Sequence, residues 1–289
     1  MKVVHLRYRP PLDADGLVAF LCRRSVPGVE EAVNGRYRRS LRLPRGAGVV
    51  ELSPAPGHVE AAFFLDDERD LDAAVDRCRA LLDLDADPEA IQDALSGDPV
   101  IGPLVRAAPG RRVPGHVDGP ELAVRAVLGQ QVSLAAAATL AGRLVAAHGE
   151  ELRRPLGGVT DLFPSPSALA GVDPSTLAMP AARARALTGL ARALANGDVL
   201  LDPGADRQAA RRALLALPGI GEWTASYVEM RALRDPDAFL PTDLGVRRGL
   251  ERLGQDGRPP AAARLAERWR PYRAYAMQHL WAQLAAPPS

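Results

Sequence analysis

The chain has 289 residues, 47% of them hydrophobic, with 36 Lys and Arg against 35 Asp and Glu. Such a length provides core for two or three packed units, and no run approaches the roughly 20 apolar residues of a membrane span. Two cysteines, Cys22 and Cys78, cannot supply the four ligands of an iron–sulfur cluster or a Cys-rich zinc site, and the five histidines have no metal-like spacing, so neither zinc nor a redox cofactor is expected.

Taken in chain order, MKVVHLRYRP lacks the apolar core of a signal peptide, which predicts a soluble, cytoplasmic protein. Val3 to Arg9 reads as a strand, and Asp13 to Val26 as a helix capped by Asp13 or Asp15. Alternating runs near Val29 to Val33, Tyr37 to Leu43, Val49 to Leu52 and His58 to Leu65 read as further strands. Glu68 to Leu84 reads as an amphipathic helix with Leu71, Val75, Cys78 and Leu82 on one stripe. The expectation is an α+β chain: residues 1–88 form an antiparallel sheet domain with two helices, followed by an all-helical region, 89–289.

From about Asp87 onward no strand is expected. Helices are predicted over 88–106, 119–148, 165–178, 181–195, 206–216, 222–234, 243–254, 260–270 and 272–285, with 119–234 as a central subdomain and 89–118 plus 235–289 as a second one. The Pro- and Gly-rich stretch 109–119 reads as a linker whose two arginines are candidate DNA-backbone contacts. Charge is uneven: residues 1–100 hold 13 basic and 18 acidic residues, whereas 101–289 hold 23 and 17, a net of +6. A modest local excess fits a protein that grips few phosphates by charge and others by backbone groups.

The segment Leu217-Pro218-Gly219-Ile220-Gly221 separates two helical runs, and a Pro followed by two glycines forces a turn there. Glycine brings bare backbone close to a ligand, and the next helix presents unpaired N–H groups, a natural seat for a phosphate. Ile220 is expected to plug into the helix pair. Asp243 stands 22 residues after Gly221, preceded by Pro241 and Thr242, and Thr242 or Asp243 caps the helix beginning at Leu244.

LPGIGEWTASY followed by FLPTD resembles the helix-hairpin-helix plus Gly/Pro-Asp signature of base-excision DNA glycosylases. RYRPPLD, AFLCRRSVPGVE, ELAVRAVLGQQVSLAAAATLAGRL and AERWRPYRAYAMQHLW resemble the alkylbase branch, DNA-3-methyladenine glycosylase II, so the similarity spans nearly the whole chain. The resemblance implies that Asp243 is the catalytic carboxylate and that Trp281 and Tyr227 stack on the extruded base. It also implies that Trp223 lines the cleft and that Phe20 lines the wall from the N-terminal domain. Gly219, Ile220, Gly221 and Thr224 become DNA contacts, and Gln131, in GQQVS, takes the wedge position in the duplex. Carbonyls of Leu215, Leu217 and Ile220 correspond to a bound monovalent cation, Na or K. Two departures stand out: Gln131 is an amide where an apolar side chain intercalates better, and Ala282 occupies a position that can be aromatic, leaving a roomier pocket.

The implied chemistry is hydrolysis of an N-glycosidic bond, in which negative charge beside the sugar stabilises oxocarbenium character. At about 4 Å and an effective dielectric near 20, one carboxylate supplies roughly 4 kcal/mol. The target nucleotide must be flipped out of the duplex and stacked, and alkylated purines are electron-poor rings suited to tryptophan faces. A strand-cleaving relative carries a lysine nucleophile two residues after the last hairpin glycine; here that residue is Trp223, and Lys2 is the chain's one lysine. The expectation is therefore a monofunctional hydrolase that excises alkylated purines from double-stranded DNA, chiefly 3-methyladenine, with 7-methylguanine as a secondary candidate. It acts as a monomer without a membrane partner and associates with the nucleoid through DNA. The competing readings are a same-fold glycosylase for deaminated or oxidised bases and a non-catalytic helix-hairpin-helix module that binds distorted DNA. No segment resembles the methyl-accepting cysteine domain that some relatives carry.

Overall fold

A computed structural model describes residues 1–285. Its first part contains β1 (Lys2–Arg7), α1 (Ala14–Cys22), β2 (Glu30–Val33), β3 (Arg36–Leu43), β4 (Gly46–Ala55), β5 (His58–Leu65) and α2 (Leu71–Leu82). The five strands form one antiparallel sheet in the order β1-β5-β4-β3-β2. Alternation along β3 and β5 turns Tyr37, Leu41, Val59, Ala61 and Phe63 to one face, where α1 and α2 cover them with Leu17, Phe20, Leu21, Cys78 and Leu81. Asp13 is the cap of α1, its carboxylate accepting from the Gly16 amide at 2.9 Å.

The rest of the chain holds α3 (Pro88–Leu95), α4 (Gly102–Ala107), α5 (Gly119–Leu128), α6 (Leu134–His148), β6 (Glu150–Leu156), β7 (Val159–Leu162) and α7 (Pro166–Ala170). These are followed by α8 (Ala181–Asn196), α9 (Arg207–Leu215), α10 (Glu222–Arg231), α11 (Leu244–Arg252), α12 (Pro259–Ala266) and α13 (Arg273–Ala285). Two helical cores result. One joins α5, α6, α8, α9 and α10 around Val127, Leu187, Leu190 and Val228. The other gathers α3, α4, α11, α12 and α13 around Leu95, Ile101, Trp269 and Met277. Helix α10 borders both, because Tyr227 and Met230 face the second core while Ala225 and Val228 face the first. The cleft opens at that junction.

The structure corrects the sequence expectation at four places. Strands do not end at Asp87: β6 and β7 pair antiparallel, and Leu152, Val159 and Leu162 pack on Val49 of the N-terminal sheet. The amides of Thr160 and Asp161 both donate to Gly28 O, which ties this hairpin to the loop after α1. A two-stranded ribbon that buries only a few side chains leaves a faint alternation, although Gly157-Gly158 at its tip is a hairpin turn signal. Second, the expected helix 119–148 breaks at Gly129–Ser133, where Gln131 adopts φ +57° and Ser133 caps α6. Third, 88–106 divides into α3 and α4, with Asp98 accepting from the amides of Val100 and Ile101 in the turn between them. Fourth, in the expected helix 165–178, α7 stops at Ala170 before Gly171 and only a 3₁₀ turn, Pro174–Thr176, follows.

Candidate active site

Asp243 is the N-cap of α11, and its carboxylate is held by three donors. Oδ1 accepts from the Val246 amide at 3.0 Å and from Trp281 Nε1 at 2.9 Å, and Oδ2 accepts from Trp223 Nε1 at 2.9 Å. Three N–H donors from three helices fix the carboxylate's plane, and each bond is charge-assisted when the group is ionised. Gly245 allows this approach: a Cβ there would stand 2.8 Å from Trp281 Cδ1 and 2.9 Å from Asp243 Oδ1. Among the described residues neither indole donates elsewhere, so two of the chain's three tryptophans act on one acid; the third, Trp269, is fully buried core.

Above the carboxylate lies a cleft of about 520 Å³, lined by Phe20, Tyr227, Trp223, Trp281, Ala282 and Asp243 among others. A volume in this range suits a small aromatic ligand. Trp223 and Tyr227, four residues apart on α10, stack with centroids 5.2 Å apart and planes 7° apart. The four aromatic residues singled out from sequence are thus brought together by three different parts of the chain. Ala282 also faces the cleft and adds no ring to it.

The far wall is cationic. The Arg24 guanidinium lies 3.6 Å from the Phe20 ring centroid, and Arg231, one more helical turn along α10, lies 5.0 Å from the same ring. Arg231 donates to Tyr227 Oη at 2.8 Å and to the carbonyls of Pro114 and Gly115. Burial lowers the Arg24 pKa to about 10, with Tyr227 opposing and Arg231 and Arg23 adding to the effect. Tyr227 is itself pulled below its usual value: burial would raise it, but Arg231 and Arg24 outweigh that. Sequence reasoning missed both arginines. The one available signal was the Trp223, Tyr227, Arg231 spacing, which places all three on one helix face.

The hairpin lies at the other end of α10. Gly219 sits at φ +85°, and a Cβ there would meet Ala186 Cβ at 2.6 Å, so both conformation and packing require glycine. Gly221, by contrast, has φ −100° and nothing within 4 Å of a Cβ. Ile220 is buried in the central helical core, and its amide donates to Leu217 O at 3.1 Å rather than standing free. Thr224, expected at the DNA face, is buried, and its hydroxyl accepts from Gln130 Nε2 at 3.0 Å; its side chain is directed inward and is not available to a backbone phosphate. The same Gln130 amide reaches Gly219 O at 3.0 Å, so the 129–133 loop is strapped to the hairpin by Gln130 while Gln131 is exposed beside it.

Other sequence candidates take structural places. Arg111 pairs with Asp13, and Arg112 is buried and donates to the carbonyls of Arg9 and Pro11; both line the cleft, so this stretch is a packed part of the cleft wall rather than a loose linker. Lys2 lies on β1 and pairs with Glu68 at 3.6 Å, away from the cleft. Ligand atoms of Glu30, His116 and Glu121 converge within 4.8 Å. Arg39 and Arg125 already saturate both carboxylates, at 2.7 to 3.1 Å, so this buried cluster is an ionic clamp between the sheet domain and α5. Burial and the two neighbouring arginines hold His116 well below its usual pKa. Arg125 also donates to Arg24 O at 2.6 Å, which anchors the cationic wall to this clamp.

Among the described residues no helix is long and apolar enough to cross a membrane. Residues 3–118 match the family description AlkA N-terminal domain, and residues 124–273 match HhH-GPD superfamily base excision DNA repair protein. The chain is 51% identical, over 98% of its length, to a Mycobacterium tuberculosis protein named probable bifunctional transcriptional activator/DNA repair enzyme AlkA, but it spans only 57% of that relative. It is 36% identical to DNA-3-methyladenine glycosylase 2 of Escherichia coli, covering 96% of this chain and 95% of that one. In fold it is similar to the 3-methyladenine DNA-glycosylase from Archaeoglobus fulgidus, with a TM-score of 0.81, 22% identity and 97% of each chain covered. A hairpin at 217–221, an aspartate capping the helix 22 residues later and these matches along the sequence lead to one assignment: the chain belongs to the HhH-GPD superfamily of base excision DNA repair proteins.

Proposed function

We propose that this protein is a DNA glycosylase that excises alkylated purines, 3-methyladenine and 7-methylguanine, from double-stranded DNA by hydrolysis. The observation that carries this reading is the carboxylate of Asp243, held by two indole N–H groups at the edge of an aromatic cleft. With the base stacked against the Trp223–Tyr227 and Trp281 faces, C1′ of the flipped nucleotide lies beside Asp243, whose charge stabilises the developing oxocarbenium ion and orients the attacking water. The indole donors hold the carboxylate without supplying a neutralising cation, so its field remains directed at the sugar.

The reaction ends at an abasic site. Trp223 stands where a lyase would carry its amine, and Lys2 lies on the outer strand of the sheet, paired to Glu68. The hairpin grips backbone through the bare chain at Gly219 and Gly221, which Ile220 anchors to the core, with Gln131 entering the gap left by the extruded base. Carbonyls of Leu215, Leu217 and Ile220 suit a monovalent cation bridging the turn to a phosphate. Leu217 O accepts only the Ile220 amide there, and no turn amide donates to Leu215 or Ile220. The enzyme works as a monomer and needs no redox cofactor.

The test is incubation with DNA methylated at purine nitrogens and chromatography of the released bases, for wild type and Asp243→Asn. Release by wild type alone supports the assignment. Equal release by the variant overturns it.

A further inference from the structure

The wall opposite Asp243 is the feature that catalysis does not use. Trp223, Tyr227 and Arg231 lie on one face of α10, about 12 Å from first to last at 1.5 Å per residue. The indole end is bonded to Asp243, and the guanidinium end, joined by Arg24 stacked on Phe20, closes the cleft. Arg24 donates to Phe20 O at 3.2 Å and lies against the Tyr227 hydroxyl, and among the described residues neither Arg24 nor Arg231 is paired with a carboxylate. A guanidinium has five N–H donors, more than these partners use, so Arg24 has donors left for a ligand in the cleft it lines.

We propose that Arg24 is a specificity-determining residue that donates to the 6-carbonyl oxygen of the extruded base and so raises excision of 6-oxo relative to 6-amino alkylpurines. This rests on the base-excision reading above. If C1′ sits at Asp243, the Watson–Crick edge of the stacked purine points away from the sugar, toward the guanidinium wall. A guanine-type base brings an acceptor at position 6 to that wall, whereas an adenine-type base brings an amino group, donor against donor. The ring charge of N7-methylguanine and N3-methyladenine is the same in DNA, so repulsion from the arginines affects both and largely cancels between them. The 6-substituent does not cancel. Arg24 is suited to the role because its planar fork is held by the Phe20 face and its backbone by Arg125.

The experiment uses DNA treated with a methylating agent, which carries both bases, and measures the ratio of 7-methylguanine to 3-methyladenine release rates in one reaction. Wild type, Arg24→Met, which keeps a linear side chain over Phe20, and Arg24→Gln, which keeps an amide donor, are compared. Because both products come from the same tube, the ratio is independent of how much of a variant folds. The expected result is a fall in the ratio of roughly tenfold for Arg24→Met, the scale of one charge-assisted hydrogen bond, and a smaller fall for Arg24→Gln. An unchanged or increased ratio overturns the proposal even if both rates drop. Release of neither base by wild type instead overturns the activity on which the proposal rests.

Discussion

Trp281 and Asp243 are joined by a 2.9 Å hydrogen bond from the indole Nε1 to Oδ1, across 38 residues of chain, and Trp223 makes the matching bond to Oδ2. The tryptophans of this cleft therefore hold the carboxylate as well as line the cavity beside it. Replacing Trp281 by Phe keeps a ring in the cleft and removes one donor. Single-turnover excision is expected to slow by about 10- to 100-fold, the scale of a hydrogen bond to a charged group, while affinity for abasic-site DNA changes little. Trp223→Phe is expected to behave alike, and a double mutant less impaired than the product of the two effects would reveal their shared target.

Asp243→Asn leaves an isosteric group at the cap of α11 and removes the charge. Excision is expected to fall about a thousandfold, as a loss of roughly 4 kcal/mol of transition-state stabilisation dictates. Gel-shift affinity for an abasic analogue should persist. A variant retaining a tenth of wild-type activity would show that the carboxylate is not the principal source of stabilisation.

Gly245→Ala tests the same assembly from the backbone side. A methyl group there overlaps the Trp281 indole edge and Asp243 Oδ1, both nearer than 3 Å. The helix should persist, and activity should drop in step with the loss of the Trp281 contact. Quenching of Trp281 fluorescence by acrylamide, compared between the two proteins, reports the displaced indole.

The hairpin glycines separate folding from binding. Gly219→Ala places a side chain at positive φ and against Ala186, and is expected to cost about 1 to 3 kcal/mol in urea unfolding. Gly221→Ala meets nothing within 4 Å among the described residues, so its stability should match wild type. If a phosphate approaches the bare backbone there, as proposed, its affinity for DNA should fall. Equal affinity in a filter-binding assay would remove Gly221 from the DNA contacts.

Asp83 links α2 to α13 by accepting from Tyr275 Oη at 2.7 Å and from the Val113 amide at 3.2 Å. Burial nevertheless pushes its pKa up to about 6, against those hydrogen bonds and the nearby Arg112 charge. The folded protein thus binds this proton more tightly than the unfolded chain, whose carboxyl titrates near 3.9. The stability it contributes is complete below about pH 4 and is lost as pH rises through about 6. Asp83→Asn, which mimics the protonated side chain, should gain on wild type over that interval by on the order of 2 to 3 kcal/mol, measured by urea denaturation at pH 4, 5, 6 and 7. A pH-independent difference would show that Asp83 does not titrate there.

What the sequence determined by itself is local. The Pro and Gly run at 217–221 imposes a turn, apolar periodicity sets α2, α9 and α11, and the interval from Gly221 to Asp243 puts an acid at the start of a helix. These features follow from backbone propensities and capping, which act over a few residues and can be read along the chain. Tertiary structure alone decided the rest. Indoles from positions 223 and 281 meet one carboxylate, and an arginine from α1's end meets Phe20, Tyr227 and Arg231. Gln130 rather than Gln131 straps the loop to the hairpin, and Thr224 points inward, where its hydroxyl accepts from the Gln130 amide. The faint ribbon β6–β7 exists because the sheet's outer face requires cover for Val49. Each of these depends on which side chains share a space, and that is set by packing between segments far apart in sequence.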